Sequence, residues 1–174
     1  LNQLDAPLYM DQKIALQNMD SLLMGQAIAK ALTNDYWGVR SMAISSAIKN
    51  KIADKETIQL ISKIAESDNK TKFRAKAIDY LAQLANNQDY LALFEQNTKH
   101  MSYAISGASW SALSLIDPAK SLEIADSLLS TAKNAQEKSI KTVYANHGGA
   151  DKMDYFVNLL ETESNYALFS TTGL

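Results

Sequence analysis

Two octapeptides of this chain align with each other 34 residues apart: Trp37-Gly38-Val39-Arg40-Ser41-Met42-Ala43-Ile44 and Thr71-Lys72-Phe73-Arg74-Ala75-Lys76-Ala77-Ile78. They hold the only two arginines among 17 basic residues; the others are all lysine. An acid lies shortly upstream of each, Asp35 and Asp68. Both arginines at one position of an internal match mark a recurring unit. Weaker copies follow at Ser102–Trp110 and Glu137–Tyr144. A period of about 30–40 residues belongs to stacked helix-pair arrays, in which each unit needs its neighbour to bury its apolar face.

The rest of the chain agrees with helices. Pro and Gly are scarce, two and six in 174 residues, too few to supply a turn every 8–12 residues as a β-sandwich or barrel requires. Apolar residues recur at helical spacing instead. The stripes are Met10, Ile14, Met19, Leu22, Leu23, Ala27; Val39, Ala43, Ala47; Ile58, Ile61, Ala65; Phe73, Ala77, Leu81; Ala104, Ala108, Ala112; Leu122, Ala125, Leu129; Ile140, Val143; and Met153, Phe156, Leu160. The breaks carry helix-start chemistry. Thr33-Asn34-Asp35, Asp54 and Ser67-Asp68-Asn69 offer short acceptors, and Asp117-Pro118 joins a capping acid to a proline at the first helical position. Asn146–Asp151, with Gly148-Gly149, ends one helix and starts the last. The expectation is eight or nine helices and no strands.

Composition excludes more chemistry than it shows. Cysteine is absent, which removes disulfides and thiolate ligands and leaves the compartment open. A net charge of −2 gives no footprint for nucleic acid or an anionic membrane. No apolar run approaches the ~20 residues of a membrane-spanning helix. The sequence holds no H-E-x-x-H, G-x-S-x-G, G-x-G-x-x-G or P-loop pattern. Its two histidines, His100 and His147, sit at a helix start and a helix exit, with no second ligand at metal-binding spacing. No catalytic, cofactor-binding or metal-ligating residue is assigned. The default role of Tyr36, Trp37, Tyr103 and Trp110 is core packing, the alternative being contact with a partner across a groove.

An acid in the loop, an apolar residue before arginine and an alanine three residues later resemble the HEAT repeat. That resemblance implies a right-handed α-α superhelix of stacked antiparallel helix pairs, a single domain over 1–174. It also implies that the arginine opens the second helix of a pair and holds a loop acid, within a repeat or between neighbours. Asp35 is then expected near Arg40, and Asp68 near Arg74 or the adjacent repeat. The planar guanidinium fork suits this role, since it can hold a carboxylate and loop carbonyls together.

A longer pattern is more specific. Ser102-Tyr103-Ala104-Ile105-Ser106-Gly107-Ala108, then Ser111-Ala112-Leu113, then Asp117-Pro118-Ala119-Lys120-Ser121-Leu122 resembles the C-terminal helical domain of bacterial aminopeptidase N-type zinc metallopeptidases. Tyr36-Trp37-Gly38-Val39-Arg40 matches a further stretch of that domain, and Tyr144-Ala145 with Gly149-Ala150-Asp151 matches another loosely. The resemblance runs from Asn18 to Leu160. It implies a non-catalytic domain, itself without cofactor, in an enzyme that removes N-terminal residues from peptides. Zinc and the general base belong to an upstream domain, and this one packs against it and walls its peptide-access cavity. The partners implied are that catalytic domain and, through it, peptide substrates, with no nucleic acid or membrane. The competing expectation is a free-standing HEAT-type scaffold for a protein or peptide. A chain starting at Leu1 is expected to be a piece of a longer protein, with an apolar face against the missing part: Tyr9, Met10, Met19, Leu23, Tyr36 and Trp37.

Overall fold

The structure, a computed structural model, describes residue 4 and residues 9–17, 23–133 and 135–162. Among these residues there are ten α-helices and no strand: α1 (Tyr9–Gln17), α2 (Met24–Leu32), α3 (Trp37–Asn50), α4 (Lys55–Ser67), α5 (Thr71–Ala82), α6 (Leu91–Asn97), α7 (Tyr103–Ile116), α8 (Pro118–Leu128), α9 (Ala135–His147) and α10 (Met153–Thr162). Short 3₁₀ turns at Asn87–Tyr90 and Gly149–Lys152 lead into α6 and α10. The chain divides into two compact units, Leu1–Ile116 and Asp117–Leu174.

In the first unit, consecutive helices pair: α2 with α3, α4 with α5, α6 with α7. The turns Thr33–Tyr36 and Asp68–Lys70 are so short that the helices they join run antiparallel. The second helices of successive pairs then pack on one another, α3 on α5 and α5 on α7, while α1 packs on α3 and α2 on α4. The sequence stripes become the buried faces. Ala27, Ile28 and Leu32 of α2 meet Val39, Ala43, Ile44 and Ala47 of α3, and Ile61 and Ala65 of α4 lie under Phe73, Ala77, Ile78 and Leu81 of α5. The alanines remove bulk where helices cross, which lets the aliphatic neighbours interdigitate.

Side chains named by the sequence set several boundaries. Asp54 Oδ1 accepts the Thr57 N–H at 3.0 Å and caps α4. This carboxyl sits below the ordinary carboxylate pKa: burial pushes it up, but hydrogen bonds from Thr57 and neighbouring backbone N–H groups outweigh that. At the other end of α3, Lys51 takes the left-handed conformation (φ 53°), and Ile52 N–H reaches Ala47 O at 2.9 Å in a Schellman-type close.

The second unit is built from α8, α9 and α10. Asp117 Oδ1 accepts the Lys120 N–H at 2.9 Å with Pro118 at the first helical position. Ala125 of α8 and Ile140, Val143 and Tyr144 of α9 form its buried centre. The chain leaves α9 through Gly148-Gly149. A side-chain carbon at Gly148 would stand 2.7 Å from the Tyr144 carbonyl, and Gly149 has φ +56°. The first position leaves no room for a side chain, and the second strains any residue that carries one.

Candidate functional site

Arg40 lies in the first turn of α3, where the repeat pattern puts it. Its Nη1 donates to the carbonyls of Asn34 (2.8 Å) and Asp35 (2.9 Å) in the turn before its own helix. Its Nη2 donates to Asp68 Oδ2 at 3.1 Å, in the turn between α4 and α5. The guanidinium stands 5.2 Å over the ring of buried Phe73. One side chain thus fastens two helix pairs, with carboxylate, carbonyls and ring held by a single planar fork. Both ends are largely buried, at 18% and 14% side-chain exposure. The other Asp68 oxygen, Oδ1, accepts the Lys70 N–H at 2.8 Å.

Asp35 lies beside Arg40 as the repeat pattern expects, and of the two partners open to Asp68 it takes the arginine of the adjacent repeat. Asp35 contributes its carbonyl to Arg40, and its side chain is exposed. Arg74 does not hold the Asp68 carboxylate: its Nε donates to Ala65 O at 3.1 Å, in the last turn of α4, while Asp68 belongs to Arg40 of the preceding pair. The residue matching Asp68 in the earlier turn is Asn34, whose Oδ1 accepts the Tyr36 N–H at 2.9 Å. Sequence reasoning names Asn34 among the short acceptors before α3 but, seeking an acid, does not match it to Asp68, although the geometry asks only for a side-chain oxygen. It also passed over Lys76, whose Nζ donates to Ser41 O and Oγ, both at 3.2 Å, bridging α5 to α3. Burial lowers the Lys76 pKa, opposed by the charge of Asp79.

The segment around Tyr36 forms an aromatic face. The Tyr36 ring lies over the first turn of α3, 2.5 Å from where a side-chain carbon at Gly38 would stand, so glycine there makes room for it. Tyr9 of α1 meets Tyr36 edge-on at 4.8 Å, and Trp37 tilts against it at 5.9 Å. Tyr36 and Trp37 remain 45% and 47% exposed, and Met10, Ile14 and Leu23 are exposed as well. Tyr9 is half-buried, its hydroxyl directed at Met42 Sδ. Met19 lies outside the described residues. Of the remaining aromatics, Trp110 is buried in α7, whereas Tyr103 is exposed at the start of that helix, beside exposed Met101.

The described residues do not fit a zinc centre. No three His, Cys, Asp or Glu side chains converge among them. His100 Nδ1 accepts the Ser102 N–H at 2.9 Å, which occupies the lone pair a metal would need. A cavity of about 510 Å³ opens beside Arg40, floored by Leu60 and Ile64 and edged by Lys63, Ser67 and Lys70. No helix among the described residues is long and apolar enough to cross a membrane.

In the second unit, Asp126 gathers a separate cluster. Its Oδ1 accepts from Tyr144 Oη and from Lys152 Nζ, each at 2.6 Å, and Lys152 stands 4.8 Å over the Tyr144 ring. Tyr155 packs edge-on against Tyr144 at 5.0 Å. Burial, the bond to Asp126 and that carboxylate's charge all push the Tyr144 pKa upward, so the phenol stays protonated. The cluster ties α8 to α9 and to the turn before α10.

Comparison with protein families, curated proteins and solved structures returns no match to this chain.

Proposed function

We propose that this chain is the non-catalytic helical domain of a zinc aminopeptidase, packing on the catalytic domain and enclosing the cavity through which peptides reach the metal. The observation that carries the reading is the aromatic face at the head of α3. Tyr36-Trp37-Gly38-Val39-Arg40, a stretch through which the sequence resembles that family, divides its residues between two tasks. Arg40 and Val39 turn inward to the neighbouring helix pair and the core, while Tyr36 and Trp37, on a turn shaped by Gly38, stay exposed against Tyr9. An exposed aromatic face of this kind suits a partner. In this reading the array is HEAT-like, Arg40 is its inter-repeat clamp, and the zinc and general base lie on the domain it covers. The gain is a small, sequestered reaction chamber.

A second reading, a scaffold for a protein or peptide, draws on the exposed Met101, Tyr103 and Leu115 of the α7 region. The parent reading frame separates the two. An H-E-x-x-H upstream of Leu1, together with chelator-sensitive release of an N-terminal amino acid from an aminoacyl chromogenic substrate by the full protein but not by this chain, is the expected result. A reading frame without that motif, or a full protein without that turnover, rejects the peptidase reading.

A further inference from the structure

Three turns of the first unit share one device. Asn34 Oδ1 accepts the N–H of Tyr36, Asp68 Oδ1 that of Lys70, and His100 Nδ1 that of Ser102, at 2.9, 2.8 and 2.9 Å. Each acceptor lies two residues before its donor and three before the first residue of a helix: α3, α5 and α7. The brace satisfies a backbone N–H that would otherwise lack a partner at the helix start. In the third turn the acceptor is an imidazole, and a backbone N–H can only donate. His100 must therefore leave Nδ1 unprotonated and carry its proton on Nε2.

We propose that His100 is a proton-sensitive brace: protonation of its ring removes the acceptor for Ser102 and loosens the start of α7, while the matching turns at Asn34 and Asp68 stay closed. An amide oxygen does not titrate, and a carboxylate remains an acceptor throughout the range in which an imidazole gains its proton. The first turn of α7 holds no acid, and the helix presents its positive dipole end there. Lys99 is adjacent in the chain. Of the elements packed on α7, α5 carries Lys72, Arg74, Lys76, Asp79 and Tyr80, and α6 carries Glu95. Among the described residues neither acid forms an ion pair with His100.

Amide hydrogen exchange on the chain, corrected for the intrinsic rate at each pH, reads the brace directly. Loss of one such hydrogen bond corresponds to about a fivefold fall in protection. The expected result is a fall of that size at Ser102 between pH 7.5 and 5, with Tyr36 and Lys70 unchanged. His100→Asn copies the brace at Asn34 and is expected to make Ser102 protection independent of pH. Imidazole nitrogen shifts should show the Nε2–H tautomer at pH 7.5. Ser102 protection that does not fall, or that falls equally in His100→Asn, overturns the proposal. Should that variant not fold, the wild-type pH series and the tautomer decide: an Nδ1–H ring at pH 7.5, or parallel losses at Tyr36 and Lys70, also overturns it.

Discussion

Each compact unit ties its helices through an aspartate, but Asp68 and Asp126 work in different settings. Asp68 is largely buried and receives a planar fork that also grips two carbonyls and covers a buried ring. Asp126 is half-exposed and receives one phenol and one lysine. Around Asp68 the first unit buries a large set of aliphatic and aromatic side chains, including Ile44, Ile61, Ile78, Leu81, Phe94 and Leu113. Around Asp126 the second unit buries Ala125, Ile140, Val143 and Tyr144. A charge cluster adds most where packing already excludes water, because screening and side-chain entropy erode an exposed pair. The first unit is therefore the more stable, and its clamp contributes more.

The largest test of that contrast is the core itself. Phe94 is fully buried in α6. Phe94→Ala should cost about 3–5 kcal/mol in urea unfolding followed by circular dichroism. A cost near that of a surface change would mean that the α6–α7 pair adds little to the first unit.

Next comes the clamp. Asp68→Ala strips the largely buried Arg40 of its carboxylate and Lys70 N–H of its acceptor, with an expected cost of about 1–3 kcal/mol. Asp126→Ala in the half-exposed cluster should cost less than about 1 kcal/mol. The reverse order in chemical denaturation would break the comparison.

Titration separates the units at opposite ends of the pH scale. Asp126 has a lowered pKa: burial raises it, but the hydrogen bonds from Lys152 and Tyr144 and the lysine charge win. Its contribution is present above the ordinary carboxyl pKa and is lost as pH falls through the lowered value. The second unit of Asp126→Asn should show less acid sensitivity in amide exchange than wild type. In the first unit, Tyr80 Oη donates to Ile52 O at 2.7 Å, and burial, with the charges of Asp54 and Tyr90, lifts its pKa from 10.0 to about 12. That stability is complete below the unfolded value and disappears as pH rises through the folded one. Tyr80→Phe should cost about 1 kcal/mol at neutral pH and flatten the alkaline limb of a melting-temperature profile.

The smallest effect is a gain. The first unit closes α3 with a lysine in the left-handed region, whereas the second uses a glycine at Gly149. Lys51→Gly should stabilise the first unit by up to about 1 kcal/mol, read as a raised melting temperature. A loss would show that the Lys51 side chain has a role beyond its backbone.

Much of this architecture was legible because helix periodicity and capping are local. The stripes from Val39 to Leu81 became α3, α4 and α5, and Asp54 and Asp117 cap the helices they precede. The helix α6 escaped because Leu91–Asn97 spans two turns, too short for a repeating stripe. The clamp was half legible. Two arginines in one register mark a structural position, but spacing alone does not tell whether Arg40 reaches the acid beside it or one 28 residues on. That choice is made when α3 packs on α5. The aromatic face was named residue by residue, yet its shape depends on the Tyr36 ring lying over Gly38, a contact that no periodicity encodes.

The central proposal, that the face of Tyr36 and Trp37 is covered by a catalytic domain of a proposed longer parent protein, is tested most directly by oxidative footprinting of that parent beside this chain. The account predicts that Trp37, Tyr36 and Met10 label readily in the chain and are protected severalfold in the parent, while the exposed Met101 labels equally in both. Equal labelling of Trp37 and Tyr36 in the two proteins would contradict it.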